Sequence, residues 1–267
     1  MVSAADDRPA DPRAAFTRQA ATYAASAVVA DREGRRRFVA AVAPAPGARV
    51  LDVATGPGFT ARAFAQRAGL VVGVDLTAAM LARARAEAAP AGAAPIRYVL
   101  GDAARLPVAT GAFDVVACGN ALHHFPAVAP VLRELARACR PGGVLALSDL
   151  VSDEDPAKAA VHNAIERLRD PSHVRAYAPG ELVALLRDLG LTVRSVATTT
   201  ARRGTTEWFA IARTPPDAAA EARRRLAATI AGDAAGLGVG WEERDGRPEL
   251  CFTHTTAWIV AEVGGPA

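Results

Sequence analysis

Short apolar segments alternate with amphipathic ones between residues 49 and 149, and this alternation restricts the fold more than any other feature. The apolar runs are nearly free of polar residues, as expected for strands that are buried on both faces. Strands and helices in alternation predict βαβ units and a parallel sheet between two helical layers. The predicted strands are 49–53, 71–75, 96–100, 113–118 and 144–149, and the helices between them are 58–68, 77–88 and 128–139.

The flanking segments extend this core. Helical spacing predicts helices at 13–30 and 32–43 before it, and at 156–169 and 179–189 after it. Two more strands are predicted at 191–200 and 249–264, separated by a long excursion. We therefore expect an α/β fold with a doubly wound, mostly parallel, seven-stranded sheet.

The composition excludes several classes of protein. Of the 267 residues, 51% are hydrophobic, so the chain is not a disordered one. The net charge is +3, and the longest basic run, residues 35–37, has no interleaved aromatic residues. Nucleic-acid binders concentrate lysine and arginine far more strongly. We expect no nucleic-acid partner.

Cysteine usage and the absence of apolar runs indicate the compartment. The three cysteines are far apart, odd in number and without C-x-x-C spacing, which favours a reducing environment. The first residues lack the apolar core of a signal peptide, and no run of about 18 apolar residues occurs. We expect a cytoplasmic protein without a membrane segment.

A glycine-rich turn follows the first predicted strand. The segment 50–61, VLDVATGPGFTA, runs from that strand through Gly56 and Gly58 into a helix. Glycine allows a ligand to approach the backbone closely. Asp75 ends the next strand, where its carboxylate can accept hydrogen bonds from ribose hydroxyls. These features fit a dinucleotide or S-adenosylmethionine equally well.

Three further features favour S-adenosylmethionine. Asp52 stands four residues before Gly56, and a carboxylate there suits a cationic group better than a pyrophosphate. The segment 101–103, GDA, follows the third strand, where a short acidic residue can accept from an adenine amino group. The segment 111–116, GAFDVV, leads into 120–125, NALHHF, and later into RPGGVL.

The order and spacing of these motifs resemble class I S-adenosylmethionine-dependent methyltransferases over residues 14–150, and more loosely over 151–200. The LDVATG form, with Ala54 as its fourth residue, is similar to the ubiquinone/menaquinone C-methyltransferase branch. The resemblance implies that Asp75 binds the ribose, that Leu76 packs on the adenine, and that Asn120 lines the methionine moiety. The implied cofactor-binding residues are Asp52, Ala54, Thr55, Gly56, Gly58, Asp75, Leu76, Met80, Gly101, Asp102, Ala103 and Asn120.

Methyl transfer from a sulfonium requires positioning above all, and a base only for some acceptors. His123 and His124 follow the fourth strand and are the candidate bases, with loop shaping as their alternative role. The candidates for the acceptor pocket are Tyr23, His124, His173, Trp208 and Phe209. The five histidines are not at zinc spacing with cysteine or carboxylate partners, so no metal is expected.

The expected organisation is a disordered tail at 1–12 and one methyltransferase domain at 13–267. Within that domain we expect an N-terminal helical flap at 13–46, a cofactor-binding core at 47–150, substrate-side helices and a strand at 151–200, a cap insertion at 201–248, and the final strand. A capped pocket indicates a small-molecule acceptor, and the resemblance implies a carbon or oxygen nucleophile of aromatic or quinone- or polyketide-like type. Two alternatives remain at this point: a relative that binds the cofactor but catalyses another reaction such as cyclisation, and a NAD-dependent oxidoreductase. Whether the chain forms a homodimer is left open.

Overall fold

One sheet of eight strands forms the centre of the computed structural model, which describes residues 11–87 and 89–264. The strands follow the order β3-β2-β1-β4-β5-β8-β6, with β7 paired to β8 beside this path. β8 is antiparallel to its neighbours, and the other strands share one direction. The strands are β1 (Arg49–Val53), β2 (Leu70–Asp75), β3 (Ile96–Leu100), β4 (Phe113–Gly119), β5 (Cys139–Val151), β6 (Thr192–Gly204), β7 (Gly240–Arg244) and β8 (Arg247–Glu262).

Helices cover both faces of the sheet, which confirms the doubly wound α/β prediction. On one face, Phe38 and Phe64 pack against Val50 and Val71; on the other, Leu132 and Leu135 pack against Leu51. Successive strand residues serve opposite faces, which explains why β1, β2 and β4 are mostly apolar. The helices are α1 (Pro12–Ala25), α2 (Ala27–Ala30), α3 (Arg32–Val42), α4 (Phe59–Ala65), α5 (Ala78–Ala86), α6 (Val128–Ala138), α7 (Pro156–Arg169), α8 (Pro179–Asp188), α9 (Thr205–Ala212) and α10 (Pro216–Ala228), with a 3₁₀ turn at Leu122–His124.

The predicted strand number of seven is corrected to eight. The added strand β7 pairs with β8 in a hairpin that turns at Asp245 and Gly246, with φ values of 50° and 72°. Two consecutive positive φ values are typical of a type I′ turn, for which Asp-Gly is a preferred sequence. β8 consequently begins at Arg247 rather than at residue 249.

The segment predicted as a cap, 201–248, begins inside the sheet. β6 continues to Gly204 because it pairs with β8 as far as Cys251. The rest of the segment contains α9, α10 and β7, and α9 is a helix that the sequence analysis did not predict. Trp208, Phe209 and Leu226 form a separate apolar cluster there with Ile165 and Phe252.

Two changes concern the N-terminal region. Residues 1–10 of the tail predicted at 1–12 lie outside the described residues. Pro12, which was assigned to that tail, belongs to α1. Asp11 caps this helix by accepting a hydrogen bond from the Arg13 amide at 3.0 Å, and proline is favoured in the first turn. The helix predicted at 13–30 breaks at Ser26, which caps α2.

None of the helices in the described ranges combines the length and the apolar character needed to cross a membrane.

Candidate active site

A cavity of about 430 Å³ opens at the carboxyl ends of β1, β2, β3 and β4. We call it the large cavity. Ligands bind at this edge in doubly wound sheets, because the strand ends and the loops that follow them converge there. Ten of the twelve residues that sequence analysis assigned to the cofactor line it: Ala54, Thr55, Gly56, Asp75, Leu76, Met80, Gly101, Asp102, Ala103 and Asn120.

The backbone at Gly56 forms an open cradle in this cavity. Its φ is +54°, and a Cβ atom added there would meet no atom within 4 Å. Asp75 Oδ2 accepts a hydrogen bond from the Gly56 amide at 2.8 Å, and its Oδ1 accepts from the Thr77 amide and hydroxyl. A carboxylate offers about four acceptor positions, so Asp75 retains capacity for a hydroxyl of a ligand.

The remaining lining divides into apolar and polar parts that suit an adenosyl group. Met80 and Ala103 are buried and apolar, and Leu76 is half-buried beside them. Asp102 is exposed at the rim, and its Oδ1 already accepts from the Ala104 amide at 2.8 Å. Asn120 has a left-handed φ of 52°, a conformation that asparagine tolerates better than most residues.

Two residues assigned to the cofactor do not line the large cavity. Asp52 is 1% exposed, and its carboxylate accepts a hydrogen bond from the Thr55 hydroxyl at 2.6 Å. Burial raises the pKa of Asp52 to about 7. A Cβ at Gly58 would lie 2.4 Å from the Tyr98 hydroxyl, so this glycine is needed for close packing. Asp52 and Gly58 therefore stabilise the turn from the side that faces away from the large cavity.

A second cavity of about 140 Å³ adjoins the first. We call it the small cavity. The two share the wall residues Tyr23, Val29, Arg35, Thr60, Gly119 and Asn120. Tyr23 belongs to α1, which also places Pro12 and Phe16 at the large cavity. The helix predicted as a flap therefore borders both cavities at once.

His123 lies in the wall of the small cavity, paired with a buried carboxylate. Its Nδ1 is 2.5 Å from Asp149 Oδ1, and its backbone amide donates to Asp149 Oδ2 at 3.2 Å. Burial lowers the pKa of His123, but the charge of Asp149 and the hydrogen bond to it raise it by more, so the pKa lies above its usual 6.5. The carboxylate also fixes the ring, which leaves Nε2 as the free nitrogen.

His124 and His173 are placed differently from His123. His124 borders the large cavity, and its Nδ1 is 3.0 Å from the Ser172 carbonyl oxygen. Burial and the neighbouring His123 lower the pKa of His124 to about 4. His173 is outside both linings, contrary to the expected pocket role: it is buried, and its Nε2 is 2.8 Å from Asn163 Oδ1.

The two aromatic residues of α9 also differ in whether they line a cavity. Trp208 lines the small cavity, as expected for an acceptor wall. Phe209 does not line it. Both rings belong to the apolar cluster with Leu226 and Phe252, and of the two only Trp208 also reaches the wall of the small cavity.

Sequence reasoning missed several residues of the small cavity. Three guanidinium groups, of Arg35, Arg169 and Arg203, line it, and so does His254 from β8. Asp149, the partner of His123, could have been found, since it is an acidic residue near the carboxyl end of a parallel strand. The others depend on how α3, α7, β6 and β8 come together around the cavity, for which the sequence contains no local signal.

The sequence analysis expected no metal because of histidine spacing. The fold brings His162 and Glu166, four residues apart on α7, next to His254. Within the described chain, one ligand atom from each lies within 4.8 Å of the other two. That spacing argument did not consider a pair from one helix turn joined by a distant strand.

Comparisons with known proteins agree with this architecture. The family model described as "Methyltransferase domain" matches residues 51–147. The uncharacterised methyltransferase YcgJ of Bacillus subtilis is 35% identical over 170 residues, which cover 64% of this chain and 67% of YcgJ. The crystal structure of YcgJ has a TM-score of 0.79 at 27% identity, and the match covers 88% of this chain and 99% of that one.

Two further proteins are similar to this chain. Demethylmenaquinone methyltransferase of Parafrankia sp. (strain EAN1pec) is 37% identical over 163 residues, covering 54% of this chain and 64% of that protein. The [4+2]-cyclase SpnF is similar with a TM-score of 0.63 at 18% identity, covering 87% of this chain and 85% of that one. At that identity the likeness concerns the fold alone. Together with the cavity at the carboxyl edge of the sheet, these findings show that the chain belongs to the class I S-adenosylmethionine-dependent methyltransferases, with S-adenosylmethionine as its cofactor.

Proposed function

We propose that the chain methylates a small acceptor with an ionisable hydroxyl, such as a phenol or an enol, on the oxygen or on a carbon conjugated with it. The observation that carries this proposal is the buried His123–Asp149 pair in the wall of the small cavity. Loss of the hydroxyl proton makes both the oxygen and the conjugated carbon nucleophilic. One base therefore serves aromatic, quinone-like and polyketide-like acceptors.

In this proposal the large cavity holds the cofactor. Asp75 accepts a ribose hydroxyl, Leu76 and Met80 pack against the adenine, and the turn around Gly56 borders the methionine part together with Asn120. The bound cofactor supplies an electrophilic methyl group on a sulfonium. Asn120 belongs to both linings, which supports an acceptor position next to that group.

In its neutral form His123 acts as the general base. Its Nε2 takes the hydroxyl proton of the acceptor, and the resulting imidazolium is stabilised by Asp149 through Nδ1. The proton then passes to solvent when the product leaves. Tyr23 and Trp208 are proposed to hold the acceptor between α1 and α9. We further propose that the protein acts in the cytoplasm on free small molecules.

The test follows formation of S-adenosylhomocysteine by mass spectrometry with a panel of phenols and enols. Substitution His123→Gln should lower kcat by about 10²–10⁴-fold with KM little changed. Asp114→Asn, at the opposite end of β4 and paired with Arg140, is the matched control and should keep wild-type kcat. If H123Q retains full kcat, the base role is wrong. Acceptor turnover without S-adenosylhomocysteine would instead indicate a cyclase-like reaction.

A further inference from the structure

The chain gathers its histidines in one buried region. All five belong to two contacting groups: His123, His124 and His173 in one, and His162 and His254 in the other. The groups meet on α7, where Asn163, the neighbour of His162, binds His173 at 2.8 Å. His123 already has a role as the proposed general base, paired with Asp149. The second group, around Glu166, has no part in the proposed methyl transfer.

Glu166 is the centre of this second group and is 1% exposed. Its Oε1 lies 2.9 Å from His254 Nε2 and 3.7 Å from His162 Nε2. Its other oxygen, Oε2, accepts from Arg169 Nη1 at 3.3 Å, which fixes the orientation of the carboxylate. Two imidazole nitrogens thus converge on one carboxylate oxygen.

His162 supplies a second, independent observation. Its Nε2 is buried and has no hydrogen-bond partner in the described part of the chain, although the side chain is only 1% exposed. A buried polar nitrogen without a partner is costly, and such groups often mark the place of a bound water molecule or ion. This nitrogen belongs to the same set of atoms as the other two ligands.

We propose that His162, Glu166 and His254 bind a divalent transition-metal ion of the zinc type. Two histidines and one carboxylate are a common ligand set for such ions, with at least one coordination position left open. Metal–ligand bonds of about 2.0–2.2 Å in tetrahedral geometry separate neighbouring ligand atoms by about 3.3–3.5 Å. The two separations from Glu166 Oε1, 2.9 and 3.7 Å, bracket that range, so small rotations of the rings complete the geometry.

The charges around the site are compatible with a cation. The carboxylates of Asp149, Glu166 and Asp170 are all buried, and Arg169 is the guanidinium that contacts Glu166. With His162 and His254 neutral, the ligand set itself carries the single negative charge of Glu166, while Arg35 and Arg203 on the small cavity offset the other buried carboxylates. Arg169 takes the role of the outer group that orients a ligating carboxylate.

The site also has an entry path. His254 lines the small cavity, and its side chain is 15% exposed. The ion is therefore reachable from that cavity and presents its open position there. The proposal does not rest on the methyl acceptor, so it can be tested without one.

The test uses the full-length chain without an affinity tag, treated with a chelator and dialysed. Co²⁺ is added while its visible d–d absorption is recorded, and Zn²⁺ is then used to displace it. We expect one Co²⁺ per chain and full displacement by Zn²⁺. Substitutions Glu166→Gln and His254→Gln should each weaken Co²⁺ binding by about 100-fold or more.

His173→Gln is the matched control, since it removes a buried histidine of the same region outside the ligand set. It should keep the wild-type affinity. Thermal unfolding in metal-free buffer shows which variants fold, and Zn²⁺ should raise the Tm of the wild type but not of E166Q. Absence of Co²⁺ absorption changes in the wild type, or equal affinity in wild type and both ligand variants, would overturn the proposal.

Discussion

Substitution Asp149→Asn removes the negative charge next to His123 Nδ1. Asparagine keeps the size and one oxygen, which can still accept from the Leu150 amide that donates to Asp149 Oδ1 at 2.7 Å. Its amide nitrogen replaces Oδ2, so the His123 backbone amide also loses the acceptor that lies 3.2 Å away. Without the charge of Asp149 the effect of burial remains, so the pKa of His123 should fall.

The size of the change follows from the geometry. The Nδ1–Oδ1 distance is 2.5 Å, and the charge centres of the two groups lie about 4 Å apart. At an effective dielectric constant of about 20, the attraction is about 4 kcal/mol, which corresponds to a change of about three units in the pKa of His123. The asparagine dipole restores part of it, so we expect a decrease of about one to three units.

NMR titration of the histidine ring signals measures this pKa directly and needs no acceptor. His123 is assigned from the signal that disappears in H123Q. Other groups near His123 are Glu166, which raises its pKa, and Arg169, which lowers it, and both are unchanged in the variant. The rings of His124 and His173 also face it and must be followed in the same spectra.

The raised pKa of His123 also determines how the free energy of unfolding depends on pH. A histidine whose pKa is raised by folding stabilises the fold fully below its unfolded pKa, and this contribution is lost as the pH rises through the folded value. Asp149→Asn should therefore cost more free energy of unfolding at pH 5 than at pH 9. A His123 pKa that does not fall in the variant would refute this account of the pair, as would an equal loss of stability at both pH values.

Three other perturbations test separate parts of the structure. Asp75→Ala should weaken S-adenosylmethionine binding at least about tenfold in calorimetry, about 1.4 kcal/mol, and undiminished affinity would contradict the ribose role. Phe64→Ala should lower the free energy of unfolding by about 3–5 kcal/mol in urea titrations, because this side chain is fully buried between α4 and the sheet. Gly246→Ala should cost about 1–2 kcal/mol, since its φ is +72°, while Gly240→Ala in the same hairpin, without a positive φ, should cost clearly less.

The short parallel strands of the sheet were predictable. The bounds predicted for 49–53 and 96–100 agree with β1, which is buried over residues 50–53, and with β3, which is only partly buried but rich in residues that favour strands. The end of β6 was not predictable, since residues 201–204 join the sheet only through pairing with β8. The hairpin at Asp245 and Gly246 did have a local signal, the Asp-Gly pair, although only a cap insertion was predicted there.

The two cavities of the site also differ in how far they could be predicted from the sequence. Residues at the ends of parallel strands, such as Asp75 and Asn120, could be assigned to the large cavity from sequence because topology brings strand ends together. The small cavity could not be predicted, because Arg203 and His254 reach it from strands β6 and β8, far along the chain from His123. Trp208 and Phe209 show the limit within a single helix: their residue type was informative, but the helix face was not.

The position of α1 has a kinetic consequence. Phe16 borders the large cavity and Tyr23 both, while hydrogen bonds from Gln19 and Thr22 to backbone carbonyls of α9 hold the helix in place. The cofactor and the acceptor must therefore both enter and leave past α1. We expect opening of α1 to limit turnover, with cofactor product and methylated product leaving in one event, so that a crosslink between α1 and α9 would slow the release of both equally.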